Sequence, residues 1–202
     1  MLDLSNSDVL LFGAGAVGTR KARNFNGVCR ITAVSSEFSE EIKEFEDLTM
    51  IKADVGKLKA DEIESLIEKH DIIITALPDF ELNRKITEAA KSKGKLANSS
   101  DGGGNFLIPS VLKKGDCTIT VSTNGKAPAV PPFICEFIDE NIPFIEQMTE
   151  FESKLRRNLK EKNIPQKRRA EILRKSARDE KIQEALMDNN ENRAMELALR
   201  YI

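Results

Sequence analysis

Apolar residues over the first hundred positions fall into short, β-branched runs separated by polar segments of helical period, the alternation of a parallel sheet covered by helices. The runs predict strands over Asp8–Phe12, Val28–Val34, Thr49–Lys52, Asp71–Ala76 and Lys95–Asn98, and the segments between them predict helices over Val17–Asn26, Ser39–Phe45, Ala60–Lys69 and Phe80–Lys93. Ile72-Ile73-Ile74 is apolar at consecutive positions, as in a strand buried on both faces. Asn83, Ile86 and Ala90 recur at helical spacing.

From Ser99 the rhythm breaks. Ser99 to Asn105 reads as a polar, glycine-rich loop, followed by an apolar strand Phe106–Pro109 and a second strand Cys117–Ser122, where Thr118, Thr120 and Ser122 alternate with Ile119 and Val121. Asn124-Gly125 marks a turn, and Pro128, Pro131 and Pro132 precede a helix over Phe133–Glu140. Beyond Pro143 only helical periodicity remains, with Phe151, Leu155 and Leu159 on one face and Ile172, Leu173, Ile182 and Leu186 further on. The predicted architecture is α/β: a Rossmann-like parallel sheet (1–112), a small α+β segment suited to dimerisation (113–142) and a helical C-terminal domain (143–202).

Val9 to Gly18 carries the strongest chemical signal, because an apolar strand there runs straight into G-x-G-x-x-G. In a dinucleotide-binding turn, Gly13 permits the tight bend, Gly15 lets the backbone approach a pyrophosphate, and Gly18 lets the next helix pack closely. Ala16 and Val17 open that helix, whose N-terminal N–H groups and dipole favour an anion. Thr75 and Ala76 end the fourth strand, where doubly wound sheets place their ligands. The second strand ends in Ser35-Ser36-Glu37, where Ser35 and Ser36 can bond a ribose hydroxyl or a phosphate, and with no arginine beside them to grip a 2′-phosphate NAD is preferred to NADP. Arg20 and Lys21 suit either phosphate contacts or an exposed helix face.

Composition narrows the classes. Charged residues make up 32% of the 202 residues and nearly cancel, at a net charge of −2, so nothing global points to nucleic acid or an anionic membrane. From Glu150 onward, 14 Lys and Arg face 10 Asp and Glu, which suits a solvated helix face. No run is long and apolar enough for a membrane span or a signal peptide, and a cytoplasmic protein is expected. Cys29, Cys117 and Cys135 lack metal or redox spacing, and His70 is the single histidine, so no resident metal is expected and His70 is read as structural.

Asp101 lies in the glycine-rich loop after the fifth predicted strand, where a carboxylate can serve as a general base or simply cap a turn. At this point VLLFGAGAVGTRKAR, DIIITALPDFELNRKI, NSSDGGGNFLIPS and VSTNGKAPA, taken in order, resemble the precorrin-2 dehydrogenase family, also found as the N-terminal module of sirohaem synthases. The resemblance spans roughly residues 1–142. It implies an NAD-dependent, homodimeric enzyme that oxidises precorrin-2 to sirohydrochlorin, and some members also insert ferrous iron. On the matched motifs Asp101 takes the place of the family's catalytic aspartate, and Asn98, Ser122 and Lys126 are expected at the tetrapyrrole substrate. That substrate is a polycarboxylate, so Lys113, Lys114 and Lys126 suit either its pocket or the surface. Ala127 stands where relatives often carry a serine before the proline, so no role of that serine transfers. The competing reading is a nucleotide-sensing regulatory domain without catalysis, which would have no reason to keep the Asp101 loop.

Overall fold

The computed structural model describes residues 3–202, which divide into two compact units with the boundary between Ile108 and Pro109. In the first unit five strands, β1 (Asp8–Ala14), β2 (Arg30–Phe38), β3 (Leu48–Lys52), β4 (Ile72–Thr75) and β5 (Leu96–Ser99), form one parallel sheet in the order β3-β2-β1-β4-β5. Helices α1 (Ala16–Ala22), α2 (Ala60–Glu68) and α3 (Phe80–Ser92) supply the crossovers. Period-2 geometry sorts the apolar strand residues between two cores. Val9, Leu11, Ile72 and Ile74 pack into one, and Leu10, Phe12 and Ile73 into the other. Because β1 lies between β2 and β4, the chain reverses its winding direction at β1, and the carboxyl ends of β1 and β4 border the crevice where such sheets bind ligands.

Two local expectations fail for physical reasons. Ser39–Phe45 forms only a short 3-10 turn over Glu41–Glu44, since Ile42 is its single buried side chain and the glutamates flanking it offer no apolar face to hold a longer helix. Phe106–Pro109 is not a strand: Phe106 and Ile108 pack against the first unit's core, and Pro109 has no N–H for a ladder. The strand begins just after it.

In the second unit β6 (Ser110–Lys114) pairs antiparallel with β7 (Cys117–Val121), and α4 (Val130–Asn141) packs on both. Helices α5 (Ile145–Glu161), α6 (Gln166–Ser176), α7 (Glu180–Met187) and α8 (Glu191–Leu199) gather around Phe151, Leu155, Leu159, Ile172, Ile182, Leu186 and Leu197. The division therefore falls at 108/109 rather than 112, because an earlier β6 must stay with its hairpin partner. It also leaves the hairpin, α4 and the later helices in one unit, where α5 touches β7, rather than two.

Candidate active site

The three glycines after β1 are glycine for three different reasons. Gly13 has φ +92°, and a Cβ there would lie 2.5 Å from the Ala76 carbonyl oxygen. At Gly18 a Cβ would lie 1.8 Å from the Gly13 carbonyl oxygen, so α1 could not approach the turn. Gly15 is the exception: φ −74° and ψ −169° suit any residue, and a Cβ there would meet no atom within 4 Å. Nothing inside the protein excludes a side chain at Gly15. The open space lies against the first turn of α1, whose Ala16 and Val17 are exposed and whose N-terminus has no side-chain cap. Unpaired N–H groups beside a cradle that a Cβ would begin to fill fit a diphosphate.

Around this cradle the expected ribose and ring contacts divide. Ser36 is exposed at the end of β2, with exposed Glu37 beside it. Ser35 is buried, and its hydroxyl accepts the Ala14 N–H at 3.1 Å, so it braces the glycine turn. Thr75 is fully buried with its hydroxyl 3.4 Å from that of Thr87 on α3, which turns it away from the crevice. Ala76 contributes through its backbone, which abuts Gly13.

Asp101 is exposed just past β5, and its carboxylate is held from two sides. The Asn83 side-chain amide on α3 donates to one oxygen at 2.6 Å, and the Ser100 hydroxyl donates to the other at 3.0 Å. The Asp101 N–H in turn donates to the Ser99 hydroxyl at 3.2 Å. Two further asparagines close the base of the loop: Asn98 donates to the Phe106 carbonyl at 2.9 Å, while Asn105 accepts the Ala97 N–H at 2.7 Å and donates to the Lys95 carbonyl at 2.9 Å. Gly104 permits that closure, since a Cβ there would lie 2.4 Å from the Ala97 carbonyl oxygen.

Lys21 reaches from α1 to the same strand end, donating to the Asn98 side-chain oxygen and, at 3.1 Å, to the Ser99 carbonyl. Burial, with Arg20 alongside, pushes its ammonium below the usual lysine range, and the Asp101 carboxylate works against that shift. Asn98 is buried, and each polar atom of its side chain makes one bond within the protein, so it supports the loop. Ser122 and Lys126 are exposed in the second unit, where the Ser122 hydroxyl accepts the Asn124 N–H at 3.1 Å. Lys113 is also exposed there, and Lys114 is paired with Asp139. His70 is buried, with Nδ1 2.7 Å from the Leu66 carbonyl oxygen, as a residue ending a helix. Among the described residues no cluster of His, Cys, Asp or Glu is arranged to hold a metal ion.

Sequence reasoning passed over Asn83 and left Lys21 undecided. For Asn83 a signal existed: it occupies the stripe shared with Ile86 and Ala90, and a polar side chain in an apolar stripe must find partners when buried.

Residues 1–110 match a family of NAD(P)-binding domains. Over 198 residues, 96% of this chain and 88% of the relative, the sequence is 34% identical to a precorrin-2 dehydrogenase of Methanosarcina barkeri. It is 24% identical to a siroheme synthase of Escherichia coli over 93% of this chain, which spans 41% of that longer protein. The solved structure of SirC, a precorrin-2 dehydrogenase, superposes with a TM-score of 0.72 at 25% identity, covering 100% of this chain and 98% of that one. The chain belongs to the precorrin-2 dehydrogenase family, and its first unit is the NAD(P)-binding part of it.

Proposed function

We propose that this protein oxidises precorrin-2 to sirohydrochlorin with NAD⁺ in sirohaem biosynthesis, as a cytoplasmic homodimer, and that Asp101 is the general base. The observation that carries the reading is a carboxylate held just past the end of β5 and joined through Asn83 and the β4–α3 turn to the glycine turn, which is open at Gly15. When bound, NAD⁺ supplies the acceptor for the two electrons that leave the substrate as hydride. Gly13, Gly15 and Gly18 would shape its seat, the first N–H groups of α1 at Ala16 and Val17 would hold its phosphates, and Ser36 would bond its adenosine ribose.

Removing two hydrogens from a carbon–carbon pair takes one as hydride and releases the other as a proton. Asp101 receives that proton. Asn83 and Ser100 each occupy one lone pair of the carboxylate, which leaves further acceptor positions open towards solvent and substrate. Both donors are neutral groups, and together they hold the orientation of the carboxylate.

Asp101→Ala is expected to lower precorrin-2 oxidation by about 10²–10⁴-fold, the scale of a lost general base, with NAD⁺ affinity nearly unchanged. Asp101→Asn should do the same, since the amide keeps the shape and loses the basicity. Anaerobic absorbance assays of tetrapyrrole oxidation, beside calorimetric titration with NAD⁺, read both quantities. Wild-type turnover in both variants would remove Asp101 from the chemistry, and NAD⁺ binding by wild-type protein without any oxidation would favour a sensor.

A further inference from the structure

We infer that Asn83 is a positioning residue that couples the nucleotide cradle to the Asp101 carboxylate. This rests on the reading of Asp101 as the base. Asn83 is wholly buried on α3, yet every polar atom of its side chain is in use. Its oxygen accepts the Leu77 N–H at 3.0 Å, and its nitrogen donates to the Leu77 carbonyl at 2.8 Å and to Asp101 at 2.6 Å, with the Ser100 hydroxyl at 3.4 Å. Leu77 follows Ala76, whose carbonyl is the atom that Gly13 must accommodate. One side chain thus ties the end of β4, against which the glycine turn is built, to the tip of the loop after β5.

A purely structural asparagine needs only the two bonds to Leu77, which already hold the β4–α3 turn as a side-chain mimic of a backbone pair. The third bond, to an exposed carboxylate, adds little to a fold that is complete without it. What it does supply is direction: it selects one carboxylate orientation, and it does so with a neutral donor. The other groups facing Asp101 are the Lys21 ammonium from α1 and the Ser99 and Ser100 hydroxyls of its own loop, while Lys91 on α3 bonds the Gly103 carbonyl further along. Lys21 is engaged with Asn98 and Ser99, so Asn83 is the group that aims the carboxylate.

Asn83→Asp keeps an oxygen for the Leu77 N–H, gives up the donation to the Leu77 carbonyl, and places a second carboxylate against Asp101, so its pH profile, which a lost turn contact alone would not shift, is the readout. Two like charges at hydrogen-bond distance raise the apparent pKa of the pair. The acid limb of the kcat profile should therefore move up by one pH unit or more, with turnover reduced at least tenfold at neutral pH and partly restored at high pH, while the KM for NAD⁺ stays within threefold. An unshifted profile in a folded Asn83→Asp protein overturns the positioning role. Should circular dichroism show that variant unfolded, Asn83→Ser, too short to reach Asp101, reads the same question: kcat at least tenfold lower with an unchanged KM for NAD⁺ supports the role, and kcat within threefold of wild type overturns it. Asp101→Asn measured alongside separates the two ideas. If it retains full turnover the general-base reading fails, whereas an inactive Asp101→Asn with an unshifted Asn83→Asp profile removes Asn83 alone.

Discussion

Gly15 and Gly18 are the same residue three positions apart, and the reasons no side chain stands there are opposite. At Gly18 the obstacle is internal, a carbonyl oxygen 1.8 Å from any Cβ, so Gly18→Ala must push α1 off the turn and should cost about 3 kcal/mol or more, the upper end for overpacking. At Gly15 the backbone angles suit a branched residue and no protein atom is near. Gly15→Val should thus melt within a few degrees of wild type and yet lose NAD⁺ binding in calorimetric titration. A Gly15→Val protein that binds normally would make the turn a structural device. The spacing of these glycines was legible in the chain because backbone sterics act through neighbours close in sequence. Lys21 and Asn83 were not, since their partners lie 77 and 18 residues away, and only the packing of α1 and α3 onto the sheet decides which polar groups they meet. Ser35 and Thr75 show the same limit from the other side: each stands at the predicted strand end, but a hydroxyl that can bond a ligand can equally be taken by a neighbour.

Helix α5 buries Phe151, Leu155 and Leu159 along one stripe, and Glu152 sits at its margin with one carboxylate oxygen enclosed and without a hydrogen-bond partner among the described residues. Burial pushes its pKa up to about 7, above the value near 4.3 of an unfolded chain. The folded state therefore binds this proton more tightly than the unfolded state. The stability it contributes is complete below about pH 4.3 and is lost as pH rises through about 7. Glu152→Gln, which carries the neutral form at every pH, should melt several degrees above wild type at pH 8 and coincide with it at pH 4.5. Equal melting curves at both pH values would place the carboxyl in water. The elements themselves were largely legible, since four strands buried on one or both faces announce their period, while the exposed edge strand β3 shows itself by its β-branched and apolar run, and the helices between them have amphipathic stripes. The misplaced strand at Phe106–Pro109 marks where pattern runs out: its apolar residues do face a core, but as an extended connection packed on the first unit and not as a ladder.

Over the whole molecule, near-balanced charge gives no long-range field, and no helix among the described residues is long and apolar enough to cross a membrane, so apolar surface is the feature that calls for a partner. Phe80, at 72% exposure, stands by itself at the start of α3, whereas two exposed aromatic groups lie together on α4. Pro131 and Cys135 are its buried residues, while Phe133 and Phe137 stand on another face at 63% and 54% exposure, one helical turn apart, with Val130 at 40% one turn earlier. The hairpin under α4 adds exposed Val111 at 46%, and its two strands pair only with each other, leaving both outer edges open. A two-stranded hairpin is marginal alone, and two exposed phenylalanines could each recover about 1.5–3 kcal/mol when covered. A second copy of the same segment would cover its own counterpart about a twofold axis, as self-complementary interfaces do. This is the physical content of the homodimer proposal. The double variant Phe133→Glu with Phe137→Glu should be monomeric in light scattering at micromolar concentration, with a near-native circular dichroism spectrum because neither ring belongs to the buried core. Replacing Lys113 by Glu on the hairpin, a charge change without loss of apolar area, should leave the mass that of a dimer. A monomeric wild-type protein would remove the homodimer, and a double variant that stays dimeric would move the interface away from α4.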